Sequence, residues 1–300
     1  MQLFKNTLTI DFNMLSSKTK FLSFILIFIS SIILLMQGLN FTIEFLGGTN
    51  LNVSLNNVNI GDFRDSVKST LNQDVEIVEL NDSFHGKTFR LRMKFIDNEN
   101  DIITALQTIY PALKLNSVDS FGPKLGKELQ QSARNAMLLA LLLISIYIAL
   151  RFDRYYALGS VIALIHDVLI TLGLLSVFNI EIGITVIAGI LTIIGYSLND
   201  TIVVYDRIRE NILKLYNDNR PSIVNRSLNE TLNRTIITSV TTLVVVIILF
   251  IFGGEVLKPF SITLIIGIII GTYSSMFIAS PVMLYFEEKY PIPEFKDEED

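Results

Sequence analysis

Six apolar runs dominate the chain, at residues 21–36, 135–150, 155–177, 182–204, 235–252 and 260–286. About 20 apolar residues in a helix cross the hydrocarbon core of a bilayer, where only helices and closed barrels satisfy their backbone polar groups. Half of the 300 residues are hydrophobic and the mean hydropathy is +0.50, outside the range of water-soluble domains. The chain therefore reads as a polytopic α-helical membrane protein with six transmembrane helices. The first run has the length of a signal-peptide core, but no small-x-small cleavage site follows it, so an uncleaved first span is expected.

Lysine and arginine in the short connections set the expected orientation. Lys5, Lys18 and Lys20 precede the first run, Arg151 and Arg154 flank the second connection, and residues 206–234 carry six basic residues. Residues 178–181 carry none and 253–259 only Lys258. The basic segments are expected in the cytoplasm. That arrangement assigns 1–37 to a cytoplasmic N-terminus and first helix, and 38–134 to an extracytoplasmic domain. Residues 135–286 hold helices two to six with a cytoplasmic loop at 206–234, and 287–300 form an acidic cytoplasmic tail, read as a solvated end.

Between the first two runs the hydrophobic period changes element by element. Leu51, Val53 and Leu55 alternate with Asn52, Ser54 and Asn56 as in a half-buried strand, and Ile60, Phe63, Val67 and Leu71 recur at helical spacing. Two strands at 75–80 and 88–95 surround a turn-rich segment containing His85, the second alternating Phe89, Leu91, Met93 and Phe95 with Arg90, Arg92 and Lys94. A helix around 102–109, stopped by Pro111, and a strand at 113–118 complete a βαββαβ order, the ferredoxin-like arrangement. The two helices would cover one sheet face and leave the arginine-bearing face open.

Polar residues inside the apolar runs are the candidate functional groups. A carboxyl at mid-membrane costs roughly 2.5–3.5 kcal/mol on insertion scales and is tolerated where it faces other helices or water. The stretch Gly195-Tyr-Ser-Leu-Asn-Asp-Thr201 puts Asn199 and Asp200 in the fourth run, before the charged exit Asp206-Arg-Ile-Arg-Glu-Asn211. At 1.5 Å per residue Asp200 lies about 10 Å before Arg207. Arg234 opens the next run, followed by Thr238, Thr241 and Thr242 on one helical face. Arg234 either reaches up that stripe toward Asp200 or snorkels to the lipid headgroups. His166 and Asp167 lie about 18 Å into the third run, as a proton-handling pair or a structural one. Thr263, Gly267, Gly271 and Ser275 recur every fourth residue in the last run, a helix-packing stripe, and Ala188, Gly189 and Gly195 suggest close approach in the fourth.

With those residues in view the chain resembles the SecF branch of the SecD/SecF family, membrane subunits of the bacterial Sec protein-export machinery, over its whole length. Phe45-Leu-Gly-Gly-Thr49, Gly122-Pro-Lys-Leu-Gly126, His166-Asp167, the Gly195 to Asn211 stretch, Arg234-Thr-Ile-Ile-Thr-Ser239 and Gly271-Thr-Tyr-Ser-Ser275 carry the resemblance. Glu44 departs from it, standing where an aspartate is expected, with its charge kept. The resemblance implies SecD as partner, completing a twelve-span unit of the resistance-nodulation-division type in the bacterial inner membrane. It also implies SecYEG, SecA and unfolded preprotein as associates, and use of the proton gradient in late translocation. In the family the acid matching Asp200 and the arginine matching Arg234 belong to the proton path, with a polar residue matching Thr238 beside them. Gly47 and Gly48 become candidates for a hinge, or simply a turn requiring positive φ.

The absence of cysteine removes disulfides and thiolate metal sites, and the two histidines are far apart in sequence. No phosphate-cradling glycine loop or nucleophile constellation is present, so no enzyme chemistry, cofactor, metal or nucleic-acid partner is expected. Two competing readings, a passive translocase scaffold and a small-molecule or lipid transporter of the same superfamily, differ in whether Asp200 must ionise and whether a second large outer loop is present.

Overall fold

A computed structural model describes residues 10–55, 58–71, 75–82, 86–215 and 217–290. His85 and residues 291–300 of the acidic tail lie outside the described residues. The chain divides into two units, Phe41–Asn135 on one hand and Met1–Asn40 with Ala136–Asp300 on the other.

In the smaller unit a short helix α2 (Ile43–Leu46) leads into β1 (Gly48–Ser54), α3 (Ile60–Leu71), β2 (Glu76–Asp82), β3 (Gly86–Met93), α4 (Glu99–Ile109) and β4 (Lys114–Phe121). The sheet order is β2-β3-β1-β4 and every neighbouring pair is antiparallel. The alternation expected from the sequence decides which side is wet. Leu51, Val53, Phe89 and Leu91 pack with Phe63 and Val67 of α3 and Ile102 and Leu106 of α4 in one core, with the Phe63 and Phe89 rings 4.9 Å apart. The opposite face pairs Asn52 with Arg90 and Asn50 with Arg92 across the strands, and Arg90 Nε donates to Asn52 Oδ1 at 3.2 Å. β3 ends at Met93 rather than at Phe95, which lies exposed beyond the ladder.

The two glycine-bearing motifs that bracket this unit interlock. Gly47 has φ +79°, and a Cβ there would lie 2.9 Å from Pro123 Cα. A Cβ on Gly126 would lie 2.6 Å from the Phe45 carbonyl oxygen, which also accepts a 2.8 Å bond from Gln130 Nε2. A Cβ on Gly48, whose φ is +154°, would lie 2.8 Å from Met93 O. The glycine pair considered as a hinge is thus a close-packed entry to the sheet, in which any side chain would meet backbone.

The larger unit holds α1 (Phe12–Met36), α6 (Arg154–Val177), α7 (Ile184–Lys214), α8 (Arg220–Phe252) and α9 (Gly254–Ser274); α9 runs through a π-helical turn (Ser275–Ala279) into α10 (Ser280–Lys289). α5 (Pro123–Arg151) begins in the smaller unit, with Pro123 at its first position, where the missing N–H costs nothing. Six helical stretches among the described residues are long and apolar enough to span a membrane, as expected. Their ends differ from the expected ones. The segment 206–234, read as a loop, is helical at 206–214 and 220–234, because ion pairs stabilise the helices past their apolar parts. Within that segment Lys214 pairs with Glu210 and Arg226 with Glu230, each one turn apart.

Small residues set the helix contacts. A Cβ on Gly267 would come within 2.0 Å of Ile193 Cδ1, one on Gly271 within 2.9 Å of Ser197 Cβ, and one on Gly189 within 3.1 Å of Thr263 Cγ2. The stripe of the last run therefore packs against α7 of the same chain. Gly173 meets Ser30 of α1, at 2.4 Å from a hypothetical Cβ. Gly195, expected to make a similar approach, has nothing within 4 Å, because it lies on the exposed side of α7. Along α5 and α8, Leu138, Leu142, Tyr147, Val244, Ile248 and Phe252 are exposed, as lipid-facing side chains are. We expect Gly267→Ala to lower stability by about 1–3 kcal/mol through overpacking. Ile193→Ala in the same chain should make the double variant less destabilised than the sum of the singles, as read by thermal unfolding in detergent.

Candidate functional site

α7 presents its polar residues to two sides. Ser197, Asp200, Thr201 and Val204 fall on one face, at helical spacings of three, four and seven, and all are buried. Asn199, expected beside Asp200 in the proton path, is exposed because adjacent residues on a helix diverge by about 100°. Asp200 is 3% exposed and its Oδ2 has no hydrogen-bond partner among the described residues.

Facing it is α8, whose antiparallel register is set by bonds at the charged end and one near the middle. Asn211 Nδ2 donates to Ser227 Oγ at 2.9 Å, Arg207 Nε to Glu230 Oε2 at 2.6 Å, and Tyr196 OH to Ser239 Oγ at 3.5 Å. Between these bonds the register places Asp200 opposite residues 235–236. Arg234 is exposed on the flank of α8 and forms no ion pair with Asp200 within 4.0 Å. The hydroxyl stripe turned inward is not the expected one. Thr238 is half-buried and donates to the carbonyls of Arg234 and Thr235 in its own helix, and Thr241 is exposed. Ser227, Thr231, Thr235 and Ser239 are buried instead, and Thr235 Oγ1, like Asp200 Oδ2, is buried without a partner among the described residues. Their spacing of four from Ser227 onward was visible in the sequence.

A second cluster lies on α6. His166 and Asp167, 2% and 1% exposed, turn toward each other, Nδ1 to Oδ1 at 2.9 Å, although adjacent residues on a helix diverge by about 100°. Asp167 Oδ2 accepts from Ser197 Oγ of α7 at 2.6 Å and from Ser274 Oγ of α9 at 2.8 Å. His166 Nε2 lies 3.2 Å from Ser23 Oγ of α1, which lies 2.9 Å from Tyr273 OH; that phenol donates to Thr19 O at 2.8 Å. Four helices thus meet at two adjacent side chains. Gly271 makes room for Ser197, so the packing stripe and the acid belong to one arrangement.

The charged ends of α7 and α8 form a third cluster, which absorbs the whole Asp206 to Asn211 motif. Asp206 pairs with Arg151 at 3.0 Å, Arg207 with Glu210 and Glu230 at 2.6 Å each, and Arg209 donates to Arg151 O at 3.0 Å. Ile208 is buried in the core, and Asn211 Nδ2 also reaches Glu230 Oε2 at 2.7 Å. Glu230, which the sequence reading passed over, is the hub. On the same helix Asn225 and Asn229, one turn apart, accept from the backbone N–H groups of Phe12 and Ile10 at 2.8 and 2.7 Å. Among the described residues no group of three or more acidic or histidine side chains could hold a metal ion.

These helices and buried acids define a polytopic membrane protein whose ionisable groups lie where its spans pack. Residues 101–289 match the family described as protein export membrane protein SecD/SecF, C-terminal. The chain belongs to the SecD/SecF family, and the relatives it matches are SecF subunits. It is 42% identical over 301 residues to the protein translocase subunit SecF of Calditerrivibrio nitroreducens, covering 93% of this chain and 95% of that one. It is 38% identical over 296 residues to SecF of Rhodobacter capsulatus, covering 90% and 89%. A crystal structure of SecDF, a translocon-associated membrane protein from Thermus thermophilus, superposes with a TM-score of 0.84 at 32% identity, over 96% of this chain and 40% of that one. A SecDF structure in a super-membrane-facing form superposes less closely, with a TM-score of 0.72 at 31% identity. The chain spans well under half the length of those SecDF chains.

Glu230→Ala should release Arg207, Arg226 and Asn211 together and loosen the turn between α7 and α8. Limited trypsin digestion in detergent is expected to cut at Lys214 several-fold faster than in the parent, while the rest of the membrane unit stays resistant.

Proposed function

We propose that this chain works with a SecD partner as a proton-driven subunit of the Sec export machinery in the bacterial cytoplasmic membrane. It acts late, drawing preprotein outward from the SecYEG channel after SecA has pushed it in, and performs no bond-making chemistry of its own. The observation that carries the reading is Asp200, a carboxyl buried in a span with an oxygen that has no hydrogen-bond partner among the described residues, beside a helix that carries Arg234. Burial favours the neutral form of a carboxyl and a nearby guanidinium favours the charged form, so sliding α7 against α8 couples proton binding to shape. One proton crossing 100 mV supplies about 2.3 kcal/mol, enough to bias such an equilibrium.

The family match supports the assignment, and the SecDF structures support pairing with SecD, whose spans would complete a twelve-span unit of the resistance-nodulation-division type. The βαββαβ order with antiparallel strand order β2-β3-β1-β4 fits a ferredoxin-like domain, which we place on the extracytoplasmic side from the lysine and arginine distribution. The exposed apolar faces of α5 and α8 offer surface for lipid and for SecD.

Two measurements test this. The chain has no cysteine, so single cysteines can be introduced at Asn98 and Asn217. An impermeant thiol reagent on intact cells should label only the first, and labelling at 217 would invert the topology. Asp200→Asn should leave abundance and copurification with SecD intact. In reconstituted vesicles it should abolish the extra translocation gained from an imposed proton gradient, leaving ATP-driven transport by SecA. Gradient stimulation at the parent level would remove Asp200 from the proton path.

A further inference from the structure

The hydrogen-bond directions around His166 and Asp167 count the protons held there. A phenol, a serine hydroxyl and each ring nitrogen have one hydrogen at most to give. Tyr273 OH gives its hydrogen to the Thr19 carbonyl, which can only accept. The 2.9 Å contact between Tyr273 OH and Ser23 Oγ is therefore donated by Ser23. Ser23 then has no hydrogen left for His166, so the 3.2 Å contact is donated by Nε2–H of the imidazole. With that nitrogen protonated, a neutral imidazole would turn a bare Nδ1 toward a carboxylate oxygen at 2.9 Å, two acceptors in contact at a site with almost no exposure to water. A proton between Nδ1 and Oδ1 removes the conflict, as imidazolium with carboxylate or as imidazole with carboxylic acid.

We propose that the His166–Asp167 pair is a second proton-binding site of the membrane unit, occupied by one proton in this conformation and joined through Ser197 to the face of α7 that presents Asp200. The occupied pair is neutral overall, which suits its burial. Release needs little movement. When the pair gives up one proton, the Nε2–H is the one lost, the shared proton stays on Nδ1 toward the carboxylate, Nε2 becomes an acceptor, and the Ser23 hydroxyl turns from Tyr273 to Nε2. One rotor on α1 thus distinguishes the loaded from the empty pair. Ser197 and Ser274 donate to Asp167 Oδ2 in either state, and Ser197 lies three residues before Asp200 on the same helical face. The tightness of α9 against α7 at Gly271 and Ser197 holds that donor in place.

The chain has two histidines, so His85→Gln leaves His166 as the sole imidazole. Solid-state nitrogen-15 spectra of this full chain, histidine-labelled in lipid bilayers, should show a protonated Nε2. Carbon-13 spectra of labelled aspartate should place the companion proton on the Asp167 carboxyl, unless Nδ1 is protonated too. Ser23→Ala removes the acceptor of Nε2–H and should convert the ring to the Nδ1–H form with a bare Nε2, whereas a histidine that only braces helices has no reason to change tautomer. A bare Nε2 in the chain with Ser23 intact overturns the proposal, and so does a protonated Nε2 beside a bare Nδ1 and an ionised Asp167. These readouts do not involve export, so a negative result here leaves the Asp200 assignment standing, and loss of that assignment leaves this site standing.

Discussion

Carboxylates buried among helices in a membrane need donors supplied by the protein, and that need organises the larger unit. Water is scarce at such depth, and an unpaired carboxylate in a low-dielectric setting is expensive. Asp167 meets the requirement with His166 from its own helix and with Ser197 and Ser274 from two others. Asp200, one turn along α7 from Ser197, has a buried oxygen with no donor among the described residues. The two acids on adjoining faces thus differ: one is held by three side chains, the other has a buried oxygen that none reaches.

Close packing makes the arrangement possible. Hydroxyls on two neighbouring helices can reach one carboxylate of a third only if the backbones approach nearly to contact, and the glycines of α9 and α6 allow that. At the other end of α7 the ion pairs around Glu230 hold α7 and α8 in register while their apolar parts remain free of such bonds. The two helices are therefore tied at their charged end and joined near the middle mainly by hydroxyls and apolar side chains. A pair fixed at one end can shift at the other, as a charge-coupled device requires.

Much of this was legible in the sequence, because each legible feature has a local physical cause. The six spans follow from run length, and the strands and helices of the smaller unit follow from the switch between periods of 2 and 3.6. Asp200, His166 and Asp167 stood out because ionisable groups are rare in apolar runs. What could not be read depends on partners distant in sequence. Asn199 and Asp200 look equivalent in the chain, yet one is exposed and the other buried. The inward stripe on α8 is Ser227, Thr231, Thr235 and Ser239 rather than Thr238 and Thr241, which only the register with α7 decides. Glu230 resembles any helical surface acid until Arg207, Arg226 and Asn211 converge on it.

The central claim is that Asp200 and Arg234 act as one charge-coupled element, and a double-mutant cycle tests it most directly. Asp200→Asn cannot ionise, and Arg234→Met removes the positive charge that favours ionisation, so each disables the same step by a different route. The account predicts that gradient-stimulated translocation in reconstituted vesicles is lost equally in either single variant and falls no further in the double. Multiplying losses, with the double far below both singles, would show that the two residues act separately and would contradict the account.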